Sequence, residues 1–435
     1  MNYSESLGYL YGLGHEILAA KFRLENIRAV LDRLGSPDQA YQSVLIAGTN
    51  GKGSTSAMVE SIVRHAGYRT ALYTSPHLVH IEERIKINGE NIRRDDFARL
   101  ATLVRETSEA LVADGILETV PTFFEQITAI ALTCFREQRI NLAVLEVGLG
   151  GRLDATNAAD RIVSVVTTID FDHQKILGES IEEIAFEKAC VIREGVIPVI
   201  GRQFYEAAYD VLSRRCMQMK TSPIYVNQPY QIRMNNFGSV VFDYDSSKNT
   251  YKRVMTGLRG RHQADNAVTA IEVAEALTDL GFTIPREAII RGLREVRWPG
   301  RLEFINNAPA FLLDGAHNES GARTLRNYLR EVWHGHLTLI FGVMNDKDYV
   351  HMAEELFSLP EVVILTRVDD RRAASSEKMG NIAYLAPGRV IFTPDVELAI
   401  REALDHTPED GLICVAGSLY LVGEAKKIIQ ERQVN

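Results

Sequence analysis

The chain has 435 residues, a formal charge of −9, and a composition 46% hydrophobic and 24% charged. That length exceeds one ordinary core, so two or three domains are expected, and the composition is that of a packed globular protein rather than a disordered one. The acidic balance argues against nonspecific nucleic-acid binding as the main task, and no stretch approaches the ~20 apolar residues of a membrane span. The opening Met1-Asn2-Tyr3-Ser4-Glu5-Ser6 carries neither a basic leader nor an apolar segment, so a cytoplasmic protein is expected. Cys134, Cys190, Cys216 and Cys414 are widely separated, make no metal-ligand spacing, and read as reduced thiols.

Taken in order, short β-rich apolar runs alternate with amphipathic helical stretches, the pattern of a mainly parallel sheet covered by helices. Val44-Leu45-Ile46-Ala47 predicts a buried strand, followed by a Gly-rich turn and a helix over 54–66. Further strands are expected over 70–73, 142–147 and 162–168. Each delivers a polar or glycine-rich loop at its C-terminal end, where open α/β sheets hold their ligands. Over 225–251 short polar–apolar alternations predict antiparallel hairpins at a sheet edge. Arg297-Trp298-Pro299-Gly300-Arg301 punctuates the chain before a second series of strands over 311–313, 337–341, 362–365, 389–392 and 412–416. Two domains are therefore expected, 1–297 and a smaller α/β unit, 298–435.

The loop Gly48-Thr49-Asn50-Gly51-Lys52-Gly53-Ser54 joins the first strand to a helix. Its small glycines let backbone N–H groups approach phosphate oxygens, and the helix N-terminus adds positive potential. Lys52 is placed to reach outer phosphates and the Ser54 hydroxyl to complete a Mg²⁺ shell. Gly53 stands where the usual phosphate loop has Ser or Thr directly after the lysine. The bland alternative is a glycine-rich turn with an incidental lysine.

Glu146 and His173 fall at adjacent strand ends, where a carboxylate and an imidazole can converge on one ion. Taken singly, Glu146 equally well caps a loop, and a lone histidine is more often structural than ligating. Lys188 follows Glu187 on an expected helix, where a surface lysine needs no explanation. Asn266 can hydrogen-bond a nucleotide or serve at a helix start; Arg301 can reach across a cleft or be solvated; Asp314 can bind ribose hydroxyls or cap the next helix. Phe123 and Phe124, between Thr122 and Glu125, offer an aromatic wall for a flat ring or ordinary helix packing.

The loop variant Gly-Thr-Asn-Gly-Lys-Gly-Ser resembles that of the Mur ligase superfamily, and within it the bifunctional dihydrofolate synthase/folylpolyglutamate synthases. The resemblance continues through Thr74-Ser75-Pro76-His77-Leu78, Glu83-Arg84-Ile85, Thr122-Phe123-Phe124-Glu125 and Gly150-Gly151-Arg152-Leu153-Asp154-Ala155-Thr156-Asn157. Asp172-His173, Glu187-Lys188-Ala189, His262-Gln263-Ala264-Asp265-Asn266 and Pro299-Gly300-Arg301 follow. Asp314-Gly315-Ala316-His317-Asn318, Asp346-Lys347-Asp348 and Gly417-Ser418-Leu419-Tyr420 complete a series spanning residues 44–423.

The resemblance implies a Mur-ligase-like phosphate-loop domain followed by a smaller Rossmann-like α/β domain, with ATP in the cleft between them. It implies nucleotide contacts from Asn50, Gly51, Lys52, Gly53, Ser54, Asn266, Arg301 and Asp314. It implies two Mg²⁺ ions, one held by Ser54, Ser75 and Glu146 and one at His173, a carbamylated Lys188, and His317 near the nucleotide and the incoming amino acid. Thr122, Phe123, Phe124 and Glu125, with Leu153, Asp154 and Ala155, are implied to line a pterin pocket. Cys190 stands where the family motif usually has glycine after Glu-Lys-Ala. The implied activity is ATP-dependent addition of L-glutamate to a folate, with dihydropteroate a second acceptor, by a cytoplasmic monomer without nucleic-acid or membrane partners. A Mur-type ligase for another carboxylate and a phosphate-loop regulatory ATPase are the alternatives. A peptidoglycan-precursor ligase would carry an N-terminal nucleotide-sugar domain, for which 47 residues before the loop leave little room.

Overall fold

The computed structural model of the protein describes residues 1–14, 24–228, 230–235 and 238–434. Its largest sheet has eight strands in the spatial order Glu90–Asn91, Ile85–Ile87, Thr70–Tyr73, Leu142–Glu146, Gln42–Ala47, Val163–Val166, Ile197–Ile200 and Ile224–Tyr225. The six from Thr70–Tyr73 onward are parallel, and the first two form an antiparallel extension. Alternation along the strands feeds both faces. Leu45, Ala47, Leu145 and Val147 join a core with residues of helices Phe123–Glu137 and Ile181–Ala189. Val44, Ile46 and Val144 join another with residues of helices Lys52–His65 and His262–Asp279. Coverage on both faces explains why these strands read as continuous apolar runs.

The stretch expected to form edge hairpins behaves differently. Tyr225 belongs to the parallel sheet, and the antiparallel strands Gln231–Met234, Ser239–Asp245 and Thr250–Arg259 form a separate sheet. Their buried positions Val240, Phe242, Tyr244 and Tyr251 share a core with helix His262–Asp279, which is what draws them off the edge of the large sheet. The phosphate-loop helix also begins two residues earlier than expected, at Lys52, because Gly51 takes the left-handed conformation (φ 86°) that ends the loop.

Beyond residue 300 a six-stranded sheet runs Glu303–Ile305, Ala310–Leu313, Leu412–Ala416, Leu337–Phe341, Val362–Leu365 and Arg389–Phe392, parallel except for the first strand. Four of the expected strands appear with the bounds read from sequence, and Ala310–Leu313 gains one residue. Glu303–Ile305 went unread because three half-buried residues give no periodic signal. Its own apolar clusters lie on the two faces of this sheet. The four cysteines are free, three of them buried. No helix among the described residues is long and apolar enough to cross a membrane.

Candidate active site

Loops at the C-terminal ends of the two parallel sheets meet across a cleft with a cavity volume of about 380 Å³. Polar contacts join its walls. Asn318 Nδ2 donates to Asn50 Oδ1 at 3.1 Å and to Asp172 Oδ2 at 3.3 Å. Lys347 Nζ reaches Asp172 Oδ1 at 2.6 Å, with both side chains under a tenth exposed.

The phosphate loop is held from the neighbouring strand end: Thr49 N–H and Asn50 N–H donate to Thr168 O, and Thr167 Oγ1 donates to Asn50 O at 2.8 Å. A Cβ at Gly51 would lie 2.3 Å from Asn266 Oδ1, so glycine is required there for space as well as for φ. Asn266 sits on the second turn of helix His262–Asp279, not at its start, and donates to Gln263 Oε1 at 2.9 Å. Lys52 Nζ curls over the loop onto Gly48 O and Thr49 O, both at 3.0 Å. Burial lowers its pKa, against the opposing pull of Glu146 and Asp172.

Lys188 is not a surface lysine. It is buried on helix Ile181–Ala189, and its Nζ donates to the same Gly48 carbonyl at 3.0 Å. Burial, and then the positive charge of Lys52, push its pKa down to about 7. Cys190 ends that helix with ordinary helical backbone (φ −65°), so nothing there demands glycine.

Glu146 is buried beside Lys52, and its Oε2 accepts the backbone N–H of Ser75 at 3.2 Å. Burial raises its pKa although Lys52 opposes the shift. Ser54 lies in the first turn of the phosphate-loop helix, its Oγ 3.4 Å from Gln263 Nε2. Glu146, Ser54 and Ser75 all line the cleft.

His173 lies not at the tip of strand Val163–Val166 but beyond the following loop, as N-cap of the short helix Gln174–Leu177, in left-handed backbone (φ 50°) uncommon for a side-chain-bearing residue. Burial pushes its imidazole down to about 4 despite Asp172, and the neutral ring's Nε2 lies 3.0 Å from Lys347 Nζ. Asp172 itself is held well below the ordinary carboxylate range. Its burial works the other way, but hydrogen bonding from His317 and the charge of Lys347 outweigh it. Among the described residues no three or more His, Cys, Asp or Glu cluster to hold a metal.

On the opposite wall Arg301 Nη1 donates to Gly315 O at 3.2 Å. Asp314 accepts backbone N–H groups of Leu302 and Ala316 at 2.9 and 3.0 Å. It therefore shapes the turn carrying Arg301, while Asn318 caps the following helix Glu319–Val332. His317 Nδ1 lies 2.8 Å from Gly315 O, leaving Nε2 facing Asp172 at 3.5 Å.

The expected pterin wall divides. Phe124 lines the cleft with its ring against Gly148, where a Cβ would lie 2.5 Å from Phe124 Cζ. Phe123 turns the other way: it is 4% exposed, stacks on Tyr11 with centroids 5.9 Å apart, and carries the Arg84 guanidinium at 5.2 Å. Successive helix positions point about 100° apart, so adjacent phenylalanines cannot share one wall. Thr122 and Glu125 line the cleft but form the capping box of helix Phe123–Glu137. Leu153, Asp154 and Ala155 also line it, with Asp154 accepting from Leu149 N–H at 2.9 Å and Thr156 N–H at 3.0 Å. Asp172, Lys347 and Asn318 carry the contacts between walls, yet sequence reasoning assigned them no role. All three fall in the motifs that carry the resemblance, and Asp172 and Lys347 also follow the C-terminal ends of parallel strands.

Against known families, residues 46–274 match the Mur ligase middle domain and residues 300–419 the Mur ligase glutamate ligase domain. The dihydrofolate synthase/folylpolyglutamate synthase of Bacillus subtilis is 32% identical, over 93% of this chain and 94% of its own length. The chain belongs to that family of Mur ligases. A Haloferax volcanii protein described as a probable bifunctional folylpolyglutamate synthase/dihydropteroate synthase is 34% identical over 98% of this chain. The chain spans about half the length of that relative, 50%. Among solved structures, the Mycobacterium tuberculosis folylpolyglutamate synthase complexed with ADP and AMPPCP superposes with a TM-score of 0.89 at 30% identity, covering 98% of this chain and 99% of its own. Across the family the fold is this pair of α/β sheet units, and the family's enzymes are ligases.

Proposed function

We propose that the protein is an ATP-dependent ligase that adds L-glutamate to reduced folates, and also to dihydropteroate, through an acyl phosphate. The observation that carries this reading is the cleft: a phosphate loop on one wall faces Arg301, Asp314 and His317 on the other, with an aromatic face, Phe124, alongside. A regulatory ATPase has no need of that second wall. In this reading residues 1–297 bind nucleotide and pterin, and 298–435 bring the glutamate side.

An acceptor carboxylate oxygen attacks the γ-phosphorus of ATP, ADP leaves, and an acyl phosphate forms. The glutamate amine then attacks the acyl carbon, and the tetrahedral intermediate expels inorganic phosphate. Lys52 and Arg301 offset the negative charge of the transferring group, and Asn50, Gly51, Gly53, Ser54 and Asn266 orient the nucleotide. Lys347 and Arg372 also line the cleft, but each is already paired, with Asp172 at 2.6 Å and with Asp370 at 2.9 Å, so either would have to exchange its partner to receive a glutamate carboxylate. Closing the walls excludes the water that would hydrolyse the acyl phosphate.

The residues present fit Mg²⁺. Glu146 is a buried carboxylate whose pKa burial raises against the pull of Lys52, and it shares the cleft with two hydroxyl-bearing residues, a hard oxygen set of the kind that ion takes. Ser54, Ser75 and Glu146 would hold one ion and His173 a second; bound Mg²⁺ supplies charge neutralisation at the phosphates. The His173 Nε2 must first part from Lys347.

Lys188, with its pKa near 7, holds a neutral amine near physiological pH, the form that attacks CO₂ to give a carbamate and release one proton. The resulting anion would sit beside Lys52 and Lys347. We further propose a cytoplasmic monomer, which light scattering of the purified protein tests.

The deciding experiment is mass analysis of products from the purified protein with Mg-ATP and L-glutamate, offered dihydropteroate or tetrahydrofolate separately. One glutamyl mass on both acceptors with ADP formed is expected. Addition to only one narrows the activity, and ATP turnover without addition to either refutes the folate reading.

A further inference from the structure

We propose that Leu78 is a positioning residue for this ligase: a peg from the first α/β unit, seated in the second, that sets the register of the two cleft walls. The proposal rests on the ligase reading above and assigns a task to a side chain that does not line the cleft.

The segment after strand Thr70–Tyr73 serves both units within four residues. Ser75 N–H donates to Glu146 Oε2, inside the cleft. Three residues on, Leu78 leaves its own unit and packs against the apolar cluster of the C-terminal sheet, formed by residues including Phe311, Leu313 and Val422. Its socket is shaped by two glycines. A Cβ at Gly423 would lie 2.0 Å from the Leu78 carbonyl oxygen, and one at Gly300 would lie 3.1 Å from Leu78 Cδ1. Gly300 immediately precedes Arg301, and its carbonyl accepts the N–H of Gly315, the residue whose own carbonyl Arg301 grips. Gly423 lies on helix Leu419–Val434, whose first residues Leu419 and Tyr420 line the cleft. The socket is therefore built from the elements that place the far wall.

A peg transmits position only if its mount is stiff. The Glu83 carboxylate accepts three successive backbone N–H groups, those of Leu78, Val79 and His80, at 2.8, 3.1 and 2.9 Å. Arg84 Nε donates to His77 Nδ1 at 2.9 Å, and Thr74 N–H donates to Arg84 O, closing the loop at its base. With Ser75 fixed at one end and Leu78 socketed at the other, displacement of the C-terminal unit is passed to the carboxylate at the phosphate site. An ordinary packing leucine would affect stability alone. A register peg affects the chemical step, because an ångström of misplacement at a transfer site costs up to ~100-fold in rate.

The test compares Leu78→Ala, Leu78→Met and Gly423→Ala with the wild-type protein in steady-state glutamate ligation, alongside ATP binding and thermal midpoint. Leu78→Ala is expected to lower kcat by ~10–100-fold while the Kd for ATP stays within about threefold, since the phosphate loop stays intact on the first unit and only Arg301 and Asp314 approach ATP from the second. Leu78→Met, of similar volume, should restore most of kcat. Gly423→Ala keeps the leucine but displaces its carbonyl, and should reproduce the loss of kcat in a folded protein. Wild-type kcat in either Leu78→Ala or Gly423→Ala overturns the peg, as does an equal loss of ATP affinity and kcat in Leu78→Ala. Wild-type protein that ligates neither acceptor refutes the ligase reading instead, a result visible before any variant is compared.

Discussion

Replacing Lys347 by Met removes the charge that pairs with Asp172 across the cleft. The two groups are 2.6 Å apart, with side-chain exposures of 8% and 9%, so little solvent screens them. Breaking a buried pair by removing one partner costs ~3–5 kcal/mol when the other charge is left alone. Asp172 is not left alone, because Asn318 at 3.3 Å and His317 at 3.5 Å remain on its second oxygen. A loss nearer ~2–3 kcal/mol in denaturant unfolding is therefore expected for Lys347→Met, and a coupling of about 2 kcal/mol in the double-mutant cycle with Asp172→Asn. The pH dependence has a definite sign. The folded pKa of Asp172 lies well below the unfolded value of 3.8, so its stabilising contribution is present above that value and is lost as pH falls through the folded pKa. Lys347→Met raises the folded pKa and narrows the gap, so the wild-type advantage should shrink once pH drops below the unfolded value. Two substitutions that add within ~0.5 kcal/mol, or a difference that grows in acid, would refute the account of the pair.

Three further outcomes follow from the same geometry. Phe124→Ala should raise the KM for the pterin acceptor about tenfold with little loss of stability, whereas Phe123→Ala should cost ~3–5 kcal/mol in unfolding and leave that KM near wild type; the reverse pattern would show the wall assigned to the wrong ring. Gly51→Ala meets both the left-handed backbone and a 2.3 Å approach to Asn266 Oδ1, so calorimetry should detect no ATP binding in a protein that still folds. For Lys188, whose amine is pushed down to about 7, ¹³C NMR at constant dissolved CO₂ should show a carbamate signal that grows between pH 6 and 8 as the neutral amine forms. Lys188→Ala should lack the signal and lose ~100-fold or more in kcat, and full activity in that variant would remove any role for the carbamate.

Much of the fold was legible because parallel strands buried on both faces print themselves as apolar runs. Leu337–Phe341 and Leu412–Ala416 are such strands, fully buried and flanked by helices. The antiparallel strands over 231–259 alternate as expected, but alternation says only that one face is covered, not by what, and helix His262–Asp279 proved to be the cover. In the cleft, Gly51, Lys52 and Ser54 were readable because the loop's chemistry is local. Asp172, Lys347 and Asn318 were not, since each takes its meaning from a partner more than 140 positions away. Phe123 and Phe124 illustrate the same limit: helix geometry requires that neighbours diverge, but only packing decides which one meets the core. Nothing local in the sequence marks Lys188 as buried; only the resemblance gave it a role, and the structure places its amine against Gly48 O.

The central claim is that this cleft activates an acceptor carboxylate by phosphorylation before glutamate attacks. Supplying tetrahydrofolate with its terminal carboxylate fully labelled with ¹⁸O, together with Mg-ATP and L-glutamate, tests it directly. One labelled oxygen should leave in inorganic phosphate for each glutamate added, the other staying in the new amide. Amide formation with no label in phosphate would contradict the acyl phosphate route and, with it, the charge-offsetting roles of Lys52 and Arg301.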